Sequence, residues 1–546
     1  VTEFDYIIVG AGSSGCVLAE ALSKNPNHRV LLIEAGPPDT NPLIRIPKGF
    51  GKLLSDPKHA WFFATEPETG NGNKPEFWAR GKTLGGSSSV NGMVYVRGQP
   101  QDYDHWESLG CKGWGWRTMA PYFKRMEDHA LGADELRGKS GPLGVSPYPG
   151  SHPVAEAIIE AGTKMGLPRR DDLNRLETAG IGYLSCTIKR GVRQSSAEAF
   201  LKPAMRRSNL EVLTNTLVHK VLFEGRRAVG VSTDAAGEKK EFRGREIILS
   251  AGALQSPKIL QLSGVGPAEL LRHYGIAVIA DSPGCGMNMR EHRLLFVQHR
   301  LKSREWSQNH QFAGMHLMKN MLQYSLFKSG PMATGSYDVG GFAKSRPDVD
   351  RPDIQLMFAP YSLDLDDPAK RFESFPGMQF FGYILRPVSQ GTVTIRSADA
   401  NEPATIRPNY MTDAYDRRTS VDMVHFIRRL LAQDVLRPYL AEETTPGAQV
   451  QSDDEIIDAF AHKGQSGYHA CGTCKMGQDA TSVVDERLRV RGVSGLRVVD
   501  ISVMPTMVSG NTNAPAMAMA GRAADLILED ALSAPADVSM QHVKFG

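Results

Sequence analysis

The period of the apolar positions changes abruptly near the start of the chain. Tyr6 to Val9 form a β-branched apolar run that reads as a buried strand, and Val17, Leu18, Ala21 and Leu22 then recur at helical spacing. Gly10-Ala-Gly-Ser-Ser-Gly15 sits at the change. A second apolar strand, Arg29 to Ile33, closes on Glu34 and Ala35, and a similar order of strand, small-residue turn and helix returns from Glu246 to Gln261. Between them, Asn209 to Phe223 and Ala228 to Val231 alternate like strands. Helical period marks Met119 to His129 and Pro153 to Met165, and Gln194 to Leu201 offers serine at a helix start with Glu198 shortly after. From about 305 to 455 the character changes to a methionine-rich helix (Met315, Leu317, Met318, Met321) followed by strands such as Asp353 to Phe358 and Gly391 to Ile395. Such a stripe packs a core or lines an adaptable apolar pocket. Residues 36–80 read as irregular connection, and 531–546 as a small, polar tail.

The glycine turn has a physical reading. Gly10 permits a tight turn, Gly12 lets backbone approach a pyrophosphate, and Gly15 lets the helix lie close on the strand, while the N–H groups around Ser13 and Ser14 face the anion. Glu34 can accept both hydroxyls of an adenosine ribose. This is a dinucleotide fingerprint, and alone it does not distinguish FAD from NAD.

Composition narrows the picture. At 546 residues and 59.7 kDa the chain exceeds one core, and two to four domains are expected. A formal charge of +3 on 63 basic and 60 acidic residues gives no electrostatic reason for nucleic acid binding. Six scattered cysteines do not resemble a disulfide framework. The first strand begins within a few residues of Val1, and no apolar run approaches the roughly 18–20 residues that span a bilayer. A cytoplasmic enzyme without an integral membrane segment is expected, peripheral membrane association and oligomeric state staying open.

Arg80-Gly-Lys-Thr-Leu-Gly-Gly-Ser-Ser-Ser-Val-Asn-Gly-Met-Val-Tyr-Val-Arg-Gly98 is a second glycine and serine cluster, too apolar for a linker. From Gly81 to Asp104 it resembles the first signature of the glucose–methanol–choline flavoprotein oxidoreductases, and Gly252 to Gly266 resembles their second. The resemblance runs from about Asp5 to about Asp530. It implies FAD, with Gly81, Leu84, Gly85, Gly86 and Ser87 on the cofactor and Asn91, Gly92, Met93 and Val94 along the isoalloxazine ring. Some members attach FAD through a histidine just before the Asn; Val90 stands there, which implies non-covalent FAD. Val218 is implied at the adenine, Ala251 and Gly252 at the second turn, Asp500 by the ribityl or pyrophosphate, and Ile501, Asn511 and Thr512 on the cofactor, although Asp500 could simply cap the helix after it. Asp281 to His292 resembles the segment that returns beneath the flavin. It reads Met-Arg-Glu-His where Leu followed by Asp-His is common, and Glu291 is given no role.

The implied fold class is α/β. A discontinuous Rossmann-like FAD-binding domain (1–160, 215–304, 456–530) carries a second, α+β substrate domain on a mainly antiparallel sheet (161–214, 305–455).

Oxidising an alcohol requires loss of a hydroxyl proton, with a pKa near water's roughly 15.7, and transfer of a hydride. Imidazole, with an ordinary pKa of about 6.5, can take that proton. In the resembling family the base matches His469 in Gly467-Tyr-His-Ala-Cys-Gly-Thr-Cys-Lys-Met-Gly477, and its partner matches Asn513, with Asn511 as the neighbouring candidate. An amide there can donate to a developing alkoxide. Cys471 and Cys474 form a CxxC that the choline dehydrogenase branch shares as a structural element, and no metal site is expected. Tyr468, Met357 and Asp338 are the expected substrate contacts. Asp338 stands where choline dehydrogenases carry a glutamate, about one methylene back, so a less polar primary alcohol, aliphatic or aromatic, is favoured over choline. The expected acceptor is quinone-like or another carrier. The competing readings are an oxidase reducing O2 to H2O2, a choline dehydrogenase, and a lyase or non-redox flavoprotein of the same family.

Overall fold

A computed structural model describes residues 3–365 and 372–533. Its first sheet is built on the fingerprint. Glu3–Val9 pairs in parallel with Val30–Ile33 on one side and with the C-terminal half of Glu238–Leu249 on the other. Leu210–Leu213 extends one edge, Leu496–Val498 joins Glu238–Leu249, and an antiparallel ribbon of Arg227–Ala235 and Leu217–Glu224 completes the sheet. The parallel strands are apolar on both faces because helices cover both, as the continuous runs Tyr6–Val9 and Val30–Ile33 require. Their C-terminal ends converge on Gly10, Glu34, Ser250 and Asp500.

The second sheet is antiparallel, in the order Leu440–Thr445, Arg293–Leu301, Gly377–Ile384, Ile354–Ala359, Val339–Ala343, Gly180–Tyr183. Period-two alternation divides its side chains. Leu295, Val297, Leu356, Phe358 and Phe380 pack under the helices Pro153–Lys164, Ala414–Leu431 and Asp453–Lys463, while Leu294, Phe296, Met357, Phe381 and Tyr383 point the other way. That second face is one wall of the cavity described below.

The structure agrees with the expected α/β class and a discontinuous first unit, and it moves several boundaries. Leu210–Leu213 pairs with the first sheet, whereas Arg293–Leu301 pairs with the second and Pro153–Lys164 packs on it, because edge pairing and core contacts assign an element rather than its place in the chain. The expected helix Met119 to His129 runs instead over Trp116–Met126, and Glu127–His129 becomes a strand beside Leu143–Pro147. Within the supposed connection 36–80, Ala60–Ala64 pairs with Phe77–Gly81 as a hairpin. Thr392–Thr394 pairs only with Thr405–Arg407, outside the main sheet. Of the tail, residues 534–546 lie outside the described residues.

Candidate functional site

A cavity of about 360 Å³ lies between the C-terminal ends of the first sheet and the open face of the second. At the glycine turn, Gly10 has φ +99°, and a Cβ there would stand 2.6 Å from the Ser250 carbonyl oxygen. A Cβ on Gly15 would reach 1.9 Å from Gly10 O, so only glycine lets helix Ser13–Leu22 lie this close on its strand. Gly12, by contrast, faces open space, with no atom nearer than 3.9 Å to its missing Cβ. The helix start carries no side-chain cap and no acidic residue in its first turn. Its N–H groups are therefore free for an anion. Gly86 crosses directly over this turn, 2.7 Å from Gly12 Cα to a hypothetical Cβ, so the two glycine clusters meet.

Glu34 and Asp500 are the carboxylates of the lining, and both serve the turns of the first sheet. The Glu34 carboxylate accepts from Ala11 N at 2.9 Å and Gly36 N at 2.9 Å, and burial pushes its pKa up to about 7. Asp500 accepts from Gly252 N (2.8 Å), Ser256 Oγ (2.6 Å) and Ser502 N (2.8 Å), so it does cap the short helix Ile501–Val503 while facing the cavity. An open glycine, an uncapped helix start and a strand-end glutamate on one cavity fit an adenine dinucleotide. Ser13, Ser14, Ala35, Gly81, Ser87, Asn91, Gly92, Met93, Val94, Val218, Ala251, Gly252, Ile501, Asn511 and Thr512 line it. Gly15, Leu84 and Gly85 do not. Gly15 is spent on helix packing, Leu84 is buried in the core of the first unit, and Gly85 turns the loop at φ +88° while its N–H donates to Ala11 O.

The other end of the cavity is organised by a chain of hydrogen bonds that fixes one imidazole. Leu385 O can only accept, so His292 Nε2, 3.0 Å away, carries a proton. Burial holds His292 neutral, with its pKa pushed down to about 4, so its Nδ1 accepts from His469 Nδ1 at 2.9 Å. The His469 lone pair is thereby left on Nε2. Asn511 Nδ2 donates to that nitrogen at 3.0 Å, while Asn511 Oδ1 accepts from Gln355 Nε2 (3.2 Å), whose Oε1 accepts from Tyr383 Oη (2.7 Å). Asn513, the first residue of helix Asn513–Ser533, instead accepts from Ser13 Oγ at 2.7 Å. The structure thus brings Asn511, not Asn513, against His469, because the helix start turns Asn513 toward the glycine turn.

Glu291 holds the backbone of this loop. Its carboxylate accepts from His292 N (2.8 Å), His469 N (2.8 Å) and Ala470 N (2.9 Å), with Arg80 Nη2 at 3.5 Å. Burial raises its pKa to about 7 against that guanidinium. Tyr468, beside His469, lines the cavity at φ +61°, and Met93 does so at φ +66°; both are left-handed positions that non-glycine residues rarely hold. Sequence reasoning missed Arg80, Glu291, His292, Gln355 and Tyr383. Glu291 and His292 stand within the segment Asp281 to His292 and Arg80 directly precedes the first signature, and only the fold joins them to His469.

Met357 lines the cavity with Leu294, Phe296, Tyr337, Phe381 and Tyr383. Asp338 does not, which corrects its expected substrate contact. Next to Tyr337, it is turned toward Lys48 and Tyr148, fully buried, with its pKa raised to about 6 by desolvation.

All six cysteines are free and buried, and burial pushes the Cys471 thiol up to about 12 and holds Cys474 well above its ordinary value. Neither is a ready thiolate. Among the described residues no group of three or more His, Cys, Asp or Glu could hold a metal ion, and no helix is long and apolar enough to cross a membrane.

Burial, the neighbouring His292 ring and Arg80 hold His469 well below an ordinary imidazole. A depressed pKa keeps the base neutral as pH falls. The acid limb of any reaction that uses His469 as base should therefore lie below about pH 6.5, measurable as the pH dependence of anaerobic flavin reduction; a limb at or above that value would assign the base elsewhere.

Comparison with known proteins gives the same picture. Family models described as GMC oxidoreductase match residues 4–294 and 387–520. The chain is 40% identical over 536 residues to the mitochondrial choline dehydrogenase of Mus musculus, covering 96% of this chain and 89% of that protein. It is 39% identical over 542 residues to an alcohol dehydrogenase [acceptor] of Pseudomonas putida, covering 98% of each. The crystal structure of pyridoxine 4-oxidase from Mesorbium loti superposes with a TM-score of 0.88 at 31% identity, covering 96% of this chain and 99% of that one.

Proposed function

The chain belongs to the GMC oxidoreductase family, FAD-dependent enzymes acting on alcohols, and on that premise we propose that it oxidises a relatively apolar primary alcohol to the aldehyde and passes the electrons to a quinone-like or other carrier. Bound FAD supplies the hydride acceptor. The residues of the chain do the rest. The substrate hydroxyl takes the place of the hydrogen bond between Asn511 Nδ2 and His469 Nε2, so that Nε2 accepts its proton and Asn511 Nδ2 turns to donate to the oxygen as negative charge develops there. His292, through Leu385 O, keeps the accepting lone pair on Nε2, and Glu291 holds the His469 backbone in place. The single observation that carries this reading is that tautomer chain, which leaves one neutral, buried base facing the cavity.

The substrate class rests on the wall. Leu294, Phe296, Tyr337, Met357 and Phe381 are apolar or aromatic, and the charged group beside His469 is the Arg80 guanidinium. A quaternary ammonium would meet no carboxylate on that wall, since Asp338 is turned away. Choline is the second reading, favoured by the 40% identity to a choline dehydrogenase. A panel of primary alcohols with choline included, mixed anaerobically with the FAD-loaded enzyme, separates the two. Neutral aliphatic or aromatic alcohols should bleach the flavin at lower concentrations than choline, and preference for choline would overturn the substrate class.

FAD is held here without a covalent bond, because Val90 is aliphatic and packs with Ile44 and Leu53. Acid or heat denaturation should release all of the yellow colour into the supernatant. A pellet that keeps it would contradict this reading.

A further inference from the structure

The helix Gly314–Phe327 is apolar on two sides. Its inner side, with Leu317, Met321 and Tyr324, packs on Leu43, Ile46, Phe312, Met332 and Ala333 and is pinned by Tyr324 Oη donating to Arg45 O at 3.2 Å. Its outer side carries Met315, Met318, Leu322 and Leu326, spaced i, i+3, i+7 and i+11, with Phe327 at the end, and these five are 79%, 67%, 62%, 65% and 72% exposed. Five of the most exposed large apolar side chains of the protein thus stand on one helix. Scattered exposed apolar residues are ordinary; a stripe of this length is not.

The charges around it point to what covers it. From residue 306 to 337 there is no Asp or Glu, while Lys319 and Lys328 are exposed, and from 40 to 55 there is again none, with Lys52 exposed and Arg45 paired with Glu198 at 3.4 Å. The chain as a whole is balanced at 63 basic to 60 acidic residues, so this excess of lysines is local. Lys319 falls within the outer stripe itself. A second copy of this chain docking here would bring lysines against lysines, whereas a lysine inside an apolar stripe suits a bilayer surface, its stem among acyl chains and its ammonium at the phosphates. At about 21 Å the helix is too short to span a bilayer and long enough to lie in its surface.

We propose that the outer face of helix Gly314–Phe327, with Lys319, Lys328 and Lys52, docks the enzyme on an anionic lipid bilayer. The inference goes beyond the reaction proposed above and does not depend on it. It also has a consequence for that reaction, because the segment beneath the helix continues from Arg45 into Phe50 and Leu54, which line the cavity. An apolar alcohol or a lipid-dissolved acceptor would be delivered on the side where the bilayer lies.

The test is co-sedimentation of the FAD-loaded full chain with phosphatidylcholine vesicles, with and without about one-third phosphatidylglycerol. Binding should favour the anionic vesicles and weaken as salt is raised. The double substitution Met318→Glu with Leu322→Glu should reduce it at least about tenfold, and Lys319→Glu with Lys328→Glu should remove the preference for anionic lipid. Both pairs should keep their flavin and their turnover with a soluble dye as acceptor. Protein that stays in the supernatant at low salt, or binding that neither pair alters, overturns the proposal. So does a stable dimer that Met318→Glu with Leu322→Glu dissociates, since a second copy would then own the face. Failure of dye turnover in the unaltered protein, with vesicle binding intact, would count against the proposed reaction and leave the docking surface standing.

Discussion

His469→Ala is expected to slow anaerobic flavin reduction by about 10²–10⁴ while leaving FAD bound. The magnitude follows from what the side chain does in the proposed reaction. Its neutral Nε2 is the proton acceptor, and no second base lies on it: Asn511 presents an N–H, and His292 has its own lone pair committed to His469 Nδ1. Cofactor binding should survive because the glycine turn, Glu34 and Asp500 make no hydrogen bond to His469. Stopped-flow reduction by a saturating alcohol, together with the flavin content of the purified variant, checks both halves. Reduction within a factor of a few of the unaltered enzyme would place the base elsewhere.

Asn511→Leu is expected to cost about 10²–10³ in the same rate, the usual loss when one donor to a developing oxyanion is removed. Asn513→Leu should cost no more than about tenfold, the scale of one ordinary hydrogen bond, here the one from Ser13 Oγ. The contrast between the two leucine variants is the informative quantity. Equal losses, or the reverse order, would return the role to Asn513 and imply that the loop before helix Asn513–Ser533 rearranges when substrate binds.

That pair also shows where sequence reasoning reaches its limit. The fingerprint was legible because its evidence is local: a change from strand to helix period across Gly10 to Gly15 and an acid closing the next strand report neighbouring residues, and the matched signatures extended that to the loop from Gly81 to Val94. Asn511 and Asn513 sit two residues apart in one motif, and which of them meets His469 depends on where a helix begins. Tyr337 and Asp338 are neighbours just ahead of strand Val339–Ala343, yet Tyr337 lines the cavity while the Asp338 carboxylate is buried beside Lys48 and Tyr148. Glu291 departs from the commoner aspartate, yet its longer side chain reaches three backbone N–H groups; the substitution hid a positioning role that geometry makes plain. His292 could be named from its motif but not understood, because the carbonyl that sets its tautomer comes from Leu385, 93 residues away. Gln355 and Tyr383 arrive from two strands of the second sheet, so nothing local marks them.

The most direct test of the account is anaerobic titration of the FAD-loaded enzyme with a primary alcohol, following flavin absorbance and aldehyde together. The account predicts bleaching of the yellow band with one aldehyde formed per flavin reduced. An alcohol consumed at an unbleached flavin, or a flavin that no alcohol in the panel reduces, would contradict it.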